Sequence, residues 1–205
     1  MTEPERRVAA FDFDGTITHN DTLFGFLIFI GGRRRVWGAM TRRVGPLLRG
    51  LRDDVIRDEA KALVLGDVLG GRTAEELADA GERYATLLPG RFRTDIVERL
   101  RWHQGEGHEV VLVSASLDAY LRPVAAELGL TDVIGVEMES ASDGRLTGRL
   151  ARPNVRAEQK AVRLREWFDG RPATELWAYG NSSGDEALLE MADHPTWVGR
   201  RANRN

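Results

Sequence analysis

The chain of 205 residues contains no cysteine, so neither a disulfide framework nor a thiolate metal site is open to it. An excess of one charge is also missing. There are 29 Lys and Arg against 32 Asp and Glu, and a net charge of -3 argues against a dedicated nucleic-acid binder. Long apolar runs are absent as well. The longest near the start is Phe26 to Ile30, or Leu23 to Ile30 if Gly25 is allowed, well below a bilayer span. Met1 to Arg7 is polar and charged, unlike a secretory signal. No internal repeat or low-complexity tract stands out. The expectation is a soluble cytoplasmic enzyme with one good core plus an insert.

What is present gathers first in residues 8 to 18, Val-Ala-Ala-Phe-Asp-Phe-Asp-Gly-Thr-Ile-Thr. Val8 to Phe11 reads as a buried parallel strand. It runs into two carboxylates, Asp12 and Asp14, then Gly15 and Thr16. In open α/β sheets ligands bind beyond the carboxyl ends of strands. Side chains at i and i+2 of a strand point the same way, so the pair would share one small space. Two like charges there are costly unless a cation neutralises them or one group holds a proton. A magnesium ion with phosphate chemistry accounts for both, whereas the plainer alternative is an Asx turn at a strand end.

Three later segments extend the pattern. Val110-Val-Leu-Val-Ser114 is an apolar strand ending in a hydroxyl residue. Lys160, in Arg156-Ala-Glu-Gln-Lys160, falls early in a helical segment. Trp177-Ala-Tyr-Gly-Asn181-Ser-Ser-Gly-Asp185 is a strand followed by a polar turn. Together with the first segment, these resemble the four motifs of the haloacid dehalogenase (HAD) superfamily, in order and over nearly the whole chain. Asn181 stands where the fourth motif has an Asp. Within the superfamily the pattern looks most like subfamily IB, the phosphoserine phosphatase-like branch.

Spacing gives the organisation. About ninety residues with mostly helical periodicity separate the first motif from the second. Helices are predicted over Leu23 to Ile30, Val36 to Leu51 with a break at Gly45-Pro46, Asp54 to Leu65, and Thr73 to Leu87. Thr73-Ala-Glu-Glu76 has capping-box spacing, and Gly-Gly pairs at 31–32 and 70–71 punctuate the run. Beyond Pro89-Gly90 come a helix (Phe92 to Gln104), a strand (Glu109 to Val113), a helix (Leu117 to Leu128) and a strand near Val133 to Val136. A hairpin turning at Asp143-Gly144, a helix (Ala157 to Phe168), a strand (Leu176 to Tyr179), a helix (Glu186 to Ala192) and a strand near Trp197-Val198 follow. Alternating βα units imply an α/β, doubly wound parallel sheet. The resemblance implies a Rossmann-like HAD core, residues 1–17 and 89–205, with a small all-α helical cap, residues 18–88, inserted after the first strand.

The resemblance also implies roles. Asp12 would attack phosphorus and become an aspartyl-phosphate, and Asp14 would serve as general acid and then base. Ser114, with the backbone at Ala115, and Lys160 would hold the phosphoryl group, and Asp21 would face the substrate. Magnesium, which takes oxygen ligands, would be held by Asp12, the Asp14 carbonyl, Asn181 and Asp185. A cap arginine that grips a substrate carboxylate in phosphoserine phosphatases has no secure counterpart; Arg57 and Lys61 are the nearest. The second motif, Ser114-Ala115-Ser116, also departs from their Ser-Gly-Gly. The reading is a Mg-dependent phosphomonoesterase acting on a small or lipid-linked phosphate ester. Phosphoserine phosphatase proper, a phosphomutase or phosphotransferase, and a catalytically weak binding module remain as alternatives. Finally, Arg33, Arg34, Arg35, Arg42, Arg43, Arg49 and Arg52 lie among apolar residues with no acid between Arg33 and Arg52. Such a basic amphipathic segment can rest on an anionic membrane surface, or simply pack as a cap helix with a solvated face.

Overall fold

Val8 to Phe11 are wholly buried, and the reason is their place in the sheet. They form β1 (Arg7–Phe11), the middle strand of a five-stranded sheet. The computed structural model describes residues 5–43, 45 and 54–199, with the side chains of Asp54, Val55 and Arg57 left out. β1 pairs in parallel with β2 (Glu109–Leu117) on one side, Phe11 opposite Leu112. On the other side β6 (Glu175–Gly180) places Tyr179 opposite Phe11. β3 (Asp132–Val136) extends the sheet beyond β2, and β7 (His194–Trp197) extends it beyond β6. All these pairings are parallel, so both sheet faces need covering, which suits the apolar runs of β1 and β2. The chain runs from β1 outward through β2 to β3 and then returns across the sheet to β6 and β7 on the other side of β1, so the carboxyl end of β1 is a topological switch point.

Among the described residues, three helices lie in the stretch 18–88 that follows β1: α1 (Leu23–Arg42), α2 (Asp54–Leu69) and α3 (Ala74–Ala85). α1 is broken at Gly32, whose φ of 75° only glycine adopts cheaply, so the Gly-Gly pair divides it as its sequence suggests. Residues 46–53, with Arg49, Arg52 and Pro46 of the expected Gly45-Pro46 break, lie outside the described residues. Thr73 and Glu76 form the expected reciprocal cap of α3, at 3.0 and 2.9 Å. Four helices complete the layers: α4 (Thr94–Gly105), α5 (Asp118–Leu128), α6 (Glu158–Phe168) and α7 (Glu186–Glu190).

The hairpin β4 (Met138–Ser140) and β5 (Leu146–Leu150) has a destination that the sequence does not announce. It docks on the inserted helices. Gly71 N–H donates to the Leu146 carbonyl at 2.9 Å, and Leu146 N–H donates to the Arg72 carbonyl at 2.8 Å. The helical insert therefore has a β arm supplied from beyond β3.

Candidate active site

The site is built at the carboxyl end of β1. The strand stops at Phe11, and Phe13–Ile17 closes one wide helical turn whose chain direction is reset at Gly15, with φ 81°. A side chain at Gly15 would strike the Asn181 amide, so this position requires glycine twice over. Asp12 and Asp14 thus share a cleft because of the turn. The expected i, i+2 strand periodicity is not what joins them, since both lie past the end of the strand.

Asp12 is buried, and its Oδ1 accepts from Lys160 Nζ at 2.6 Å. The same Nζ donates to Asp185 Oδ1 at 2.6 Å. Lys160 comes from the first turn of α6 and is only 2 % exposed. Asp12 Oδ2 accepts from Thr16 Oγ1 at 3.0 Å. Burial raises the Asp12 carboxyl to about 6; Lys160 opposes the rise and Asp185 adds to it. At Lys160, burial disfavours the charge, but Asp12 and Asp185 outweigh it and the ammonium is held above its ordinary value.

Asp14 is gripped from two sides. Its Oδ1 accepts from Thr22 N–H at 2.7 Å and Thr22 Oγ1 at 2.6 Å, and its Oδ2 accepts a short bond from Ser116 Oγ. Burial raises the Asp14 carboxyl, with Asp21 adding to the rise and the Ser116 and Thr22 hydrogen bonds resisting it. Ser114 lies beside them inside β2, which runs on to Leu117 past the Val113 end its sequence suggests, and its Oγ accepts from Ser116 N–H at 3.2 Å. The Ala115 carbonyl accepts from Lys61 Nζ at 2.5 Å, tying α2 to the sheet. Burial lowers the Lys61 ammonium to about 8, against the pull of Asp14, Asp21 and Asp58.

The turn after β6 is capped by Ser182 and Asp185. Ser182 Oγ accepts from Gly184 N–H at 3.2 Å, and Asp185 Oδ2 accepts from Asn181 N–H at 3.0 Å and Ser182 N–H at 2.9 Å. Gly180 permits this, since a Cβ there would stand 2.5 Å from that of Asp185. Asn181 is therefore not the turn's cap: its Oδ1 instead lies 3.5 Å from Thr16 Oγ1, facing the Asp12 side.

The carboxylates, the two lysines, Ser114 to Ser116 and Ser182 open on one cleft of about 210 Å³, lined also by Asp21, Asp58 and Arg156, whereas Asn181, Thr16 and Thr22 do not line it. Of the residues singled out in the sequence, Asp12, Asp14, Asp21, Ser114, Ala115, Lys160 and Asp185 line it, as does Lys61. Arg57's side chain lies outside the described residues. Sequence reasoning missed Thr16, Thr22, Ser116, Asp58 and Arg156. For Ser116 a signal existed in the second hydroxyl of Ser-Ala-Ser; for Asp58 and Arg156 none did.

Among the described residues no group of three or more His, Asp or Glu is arranged to hold a metal. A cation here would rest on mixed oxygens. Asp12 Oδ2 and Asn181 Oδ1 both approach the Thr16 hydroxyl, and the donors are all hard oxygens, so the set fits magnesium. Both Asp185 oxygens already accept hydrogen bonds, from Lys160 and from the turn. As described, Asp185 holds the lysine and the loop.

The family model of the haloacid dehalogenase-like hydrolases matches residues 9–190, a span that includes every one of these groups. The chain belongs to that family. Protein CicA of Caulobacter vibrioides is 35 % identical over 190 residues, covering 92 % of this chain and 84 % of its own. A Bordetella pertussis protein of unknown function superposes with a TM-score of 0.75 at 27 % identity, over 91 % of this chain and 87 % of that one. A phosphoserine phosphatase structure, an analogue of its phospho-aspartyl intermediate, superposes with a TM-score of 0.61 at 18 % identity, over 92 % and 84 %. This chain is thus a haloacid dehalogenase-like hydrolase whose fold is also that of a phosphoserine phosphatase.

The basic run reads differently in three dimensions. The local sequence holds no acid, yet Asp67 of α2 pairs with Arg43 at 3.1 Å and with Arg42 at 3.7 Å. Arg35 donates to the Asp67 carbonyl at 3.1 Å. Arg33 and Arg34 are exposed, on the same helix as the exposed Phe24, Phe29 and Trp37. No described helix is long and apolar enough to cross a membrane.

Proposed function

We propose that this protein is a cytoplasmic, magnesium-dependent phosphomonoesterase that works through an aspartyl-phosphate at Asp12. The observation that carries the reading is Asp12 and Asp14 in one cleft, with Lys160 bonded to Asp12. An Asp12 carboxylate oxygen attacks phosphorus, the ester P–O bond breaks, and Asp14 gives its proton to the departing alkoxide. Water then attacks the same phosphorus, Asp14 takes its proton, and Asp12 and inorganic phosphate are released. Lys160 offsets negative charge on Asp12 and the phosphoryl oxygens, and the Ser114 hydroxyl and the Ala115 N–H receive those oxygens. Asp12, the Asp14 carbonyl and Asn181 would hold the magnesium ion, with Asp185 as its outer support. The ion would supply positive charge to the phosphoryl oxygens.

Asp21, Asp58, Lys61 and Arg156 at the cleft wall choose the alcohol, and the small cleft favours a small phosphate ester over a bulky one. Lipid-linked esters require the cap to meet an anionic surface, and the exposed Arg33 and Arg34, on the helix that also carries exposed aromatics, are the residues for it. Phosphate release from para-nitrophenyl phosphate, with and without EDTA, tests the chemistry. No release, or release indifferent to EDTA, overturns it, and transfer of phosphate to a second alcohol in place of release identifies a mutase or transferase. A panel of phospho-amino acids, phosphocholine, sugar phosphates, nucleotides and lysophospholipid phosphates tests the substrate. Co-sedimentation with anionic vesicles tests the cap surface, and the absence of salt-sensitive binding removes it.

A further inference from the structure

We infer that Ser116 is a positioning residue that fixes where Asp14 carries the proton it delivers to the leaving group; this rests on the hydrolase reading above. Asp14's two oxygens have unequal surroundings. Oδ1 faces Thr22 N–H at 2.7 Å, a donor that cannot accept, as well as Thr22 Oγ1 at 2.6 Å. The two Thr22 donors occupy both lone pairs of Oδ1, so the transferable proton belongs on Oδ2. One lone pair of Oδ2 accepts the Ser116 hydroxyl, which leaves the other for the proton.

Ser116 is itself held. It is 2 % exposed, near the end of β2, and its N–H donates to Ser114 Oγ at 3.2 Å. The Thr22 side is equally fixed: Tyr120 OH lies 3.1 Å from Thr22 Oγ1, and Tyr84 OH donates to the Thr22 carbonyl at 2.8 Å. Asp14 is thus clamped between the first residues before α1 and the end of β2. Removing the Ser116 hydroxyl frees one edge of the carboxyl to rotate, and a general acid that can rotate spends less time aligned with the leaving oxygen.

The test separates orientation of the acid from general damage. The value of kcat/KM covers the steps up to departure of the leaving group, and is measured for 2,4-dinitrophenyl, para-nitrophenyl, phenyl and alkyl phosphates. Dinitrophenolate leaves without a proton, whereas phenolate and alkoxides require one. In Ser116→Ala the ratio of kcat/KM for dinitrophenyl over phenyl phosphate should rise by at least about tenfold, since a well-placed general acid contributes about 10²–10⁴-fold. Ser116→Thr, which keeps the hydroxyl, should restore the wild-type ratio. An unchanged ratio in Ser116→Ala, or equal loss on every ester, overturns the assignment. If the wild type turns over none of the esters, the hydrolase reading itself fails. Turnover by the wild type with no change of slope in the variant rejects Ser116 alone.

Discussion

Lys160→Met removes the cation that bridges Asp12 and Asp185, two carboxylates that are almost wholly buried. Each ion pair is 2.6 Å long, and Lys160 is 2 % exposed, so water cannot replace the lost charge. Breaking a buried ion pair by deleting one partner costs about 3–5 kcal/mol, because the remaining charge is left uncompensated. Here two charges are left. The loss should depend on pH, and its sign follows from Asp12. With the lysine in place its carboxyl is already raised to about 6, and without the lysine it must rise further, while Asp185 loses the partner that holds it low. The folded variant then binds more protons than its unfolded chain, so its stability falls as pH rises. Urea unfolding followed by tryptophan fluorescence should show a deficit of about 3–5 kcal/mol at pH 8, narrowing by at least about 1 kcal/mol at pH 5.5. Lys160→Gln, equally uncharged, should follow the same trend. A deficit under about 1 kcal/mol at pH 8 in both variants, or a gap that does not narrow toward pH 5.5, would refute the reasoning.

Asp12→Asn cannot form an acyl phosphate and should leave less than about a hundredth of the wild-type kcat, a barrier increase above ~2.7 kcal/mol, with an unchanged circular dichroism spectrum; higher residual turnover counts against covalent catalysis at Asp12. Asn181→Ala should raise the magnesium concentration needed for half-maximal activity substantially, and Asn181→Asp should preserve or lower it; an unchanged titration in the Ala variant removes Asn181 as a ligand. His103 is fully buried between His108 Nδ1 and Tyr179 OH, each at 2.8 Å, and burial, with His108 and Arg99 adding to it, lowers its imidazole to about 4. The unfolded chain takes up that proton first, so His103 contributes stability that is lost as pH falls from about 6.5 toward 4, up to about 3 kcal/mol. His103→Gln should therefore lose less stability than the wild type between pH 7 and pH 4.5, and equal acid sensitivity of the two would show that the imidazole does not titrate on unfolding.

Much of the fold was legible because its signals are local. The apolar run Val8 to Phe11 is a central strand, the Gly-Gly pair at 31–32 breaks α1, and Thr73 with Glu76 caps α3 as their spacing requires. Asp12 and Asp14 could be named in advance because ligands gather beyond the carboxyl ends of parallel strands, and Ser114, Lys160 and Asp185 because their segments resemble the motifs of the HAD superfamily; the sheet brings all five to one cleft. What the chain order could not state is which side chains finish the contacts across that edge. Ser116 on Asp14, Lys61 on the Ala115 carbonyl and Asp67 on Arg42 and Arg43 join residues between 24 and 102 positions apart. The hairpin's place on α2, Asn181's turn toward Thr16 and Asp185's hold on Lys160 are of the same kind. Periodicity and spacing along the chain specify elements and their ends; the partner of a polar side chain is chosen by packing, where burial makes every unmade hydrogen bond costly and leaves few geometries that satisfy them all.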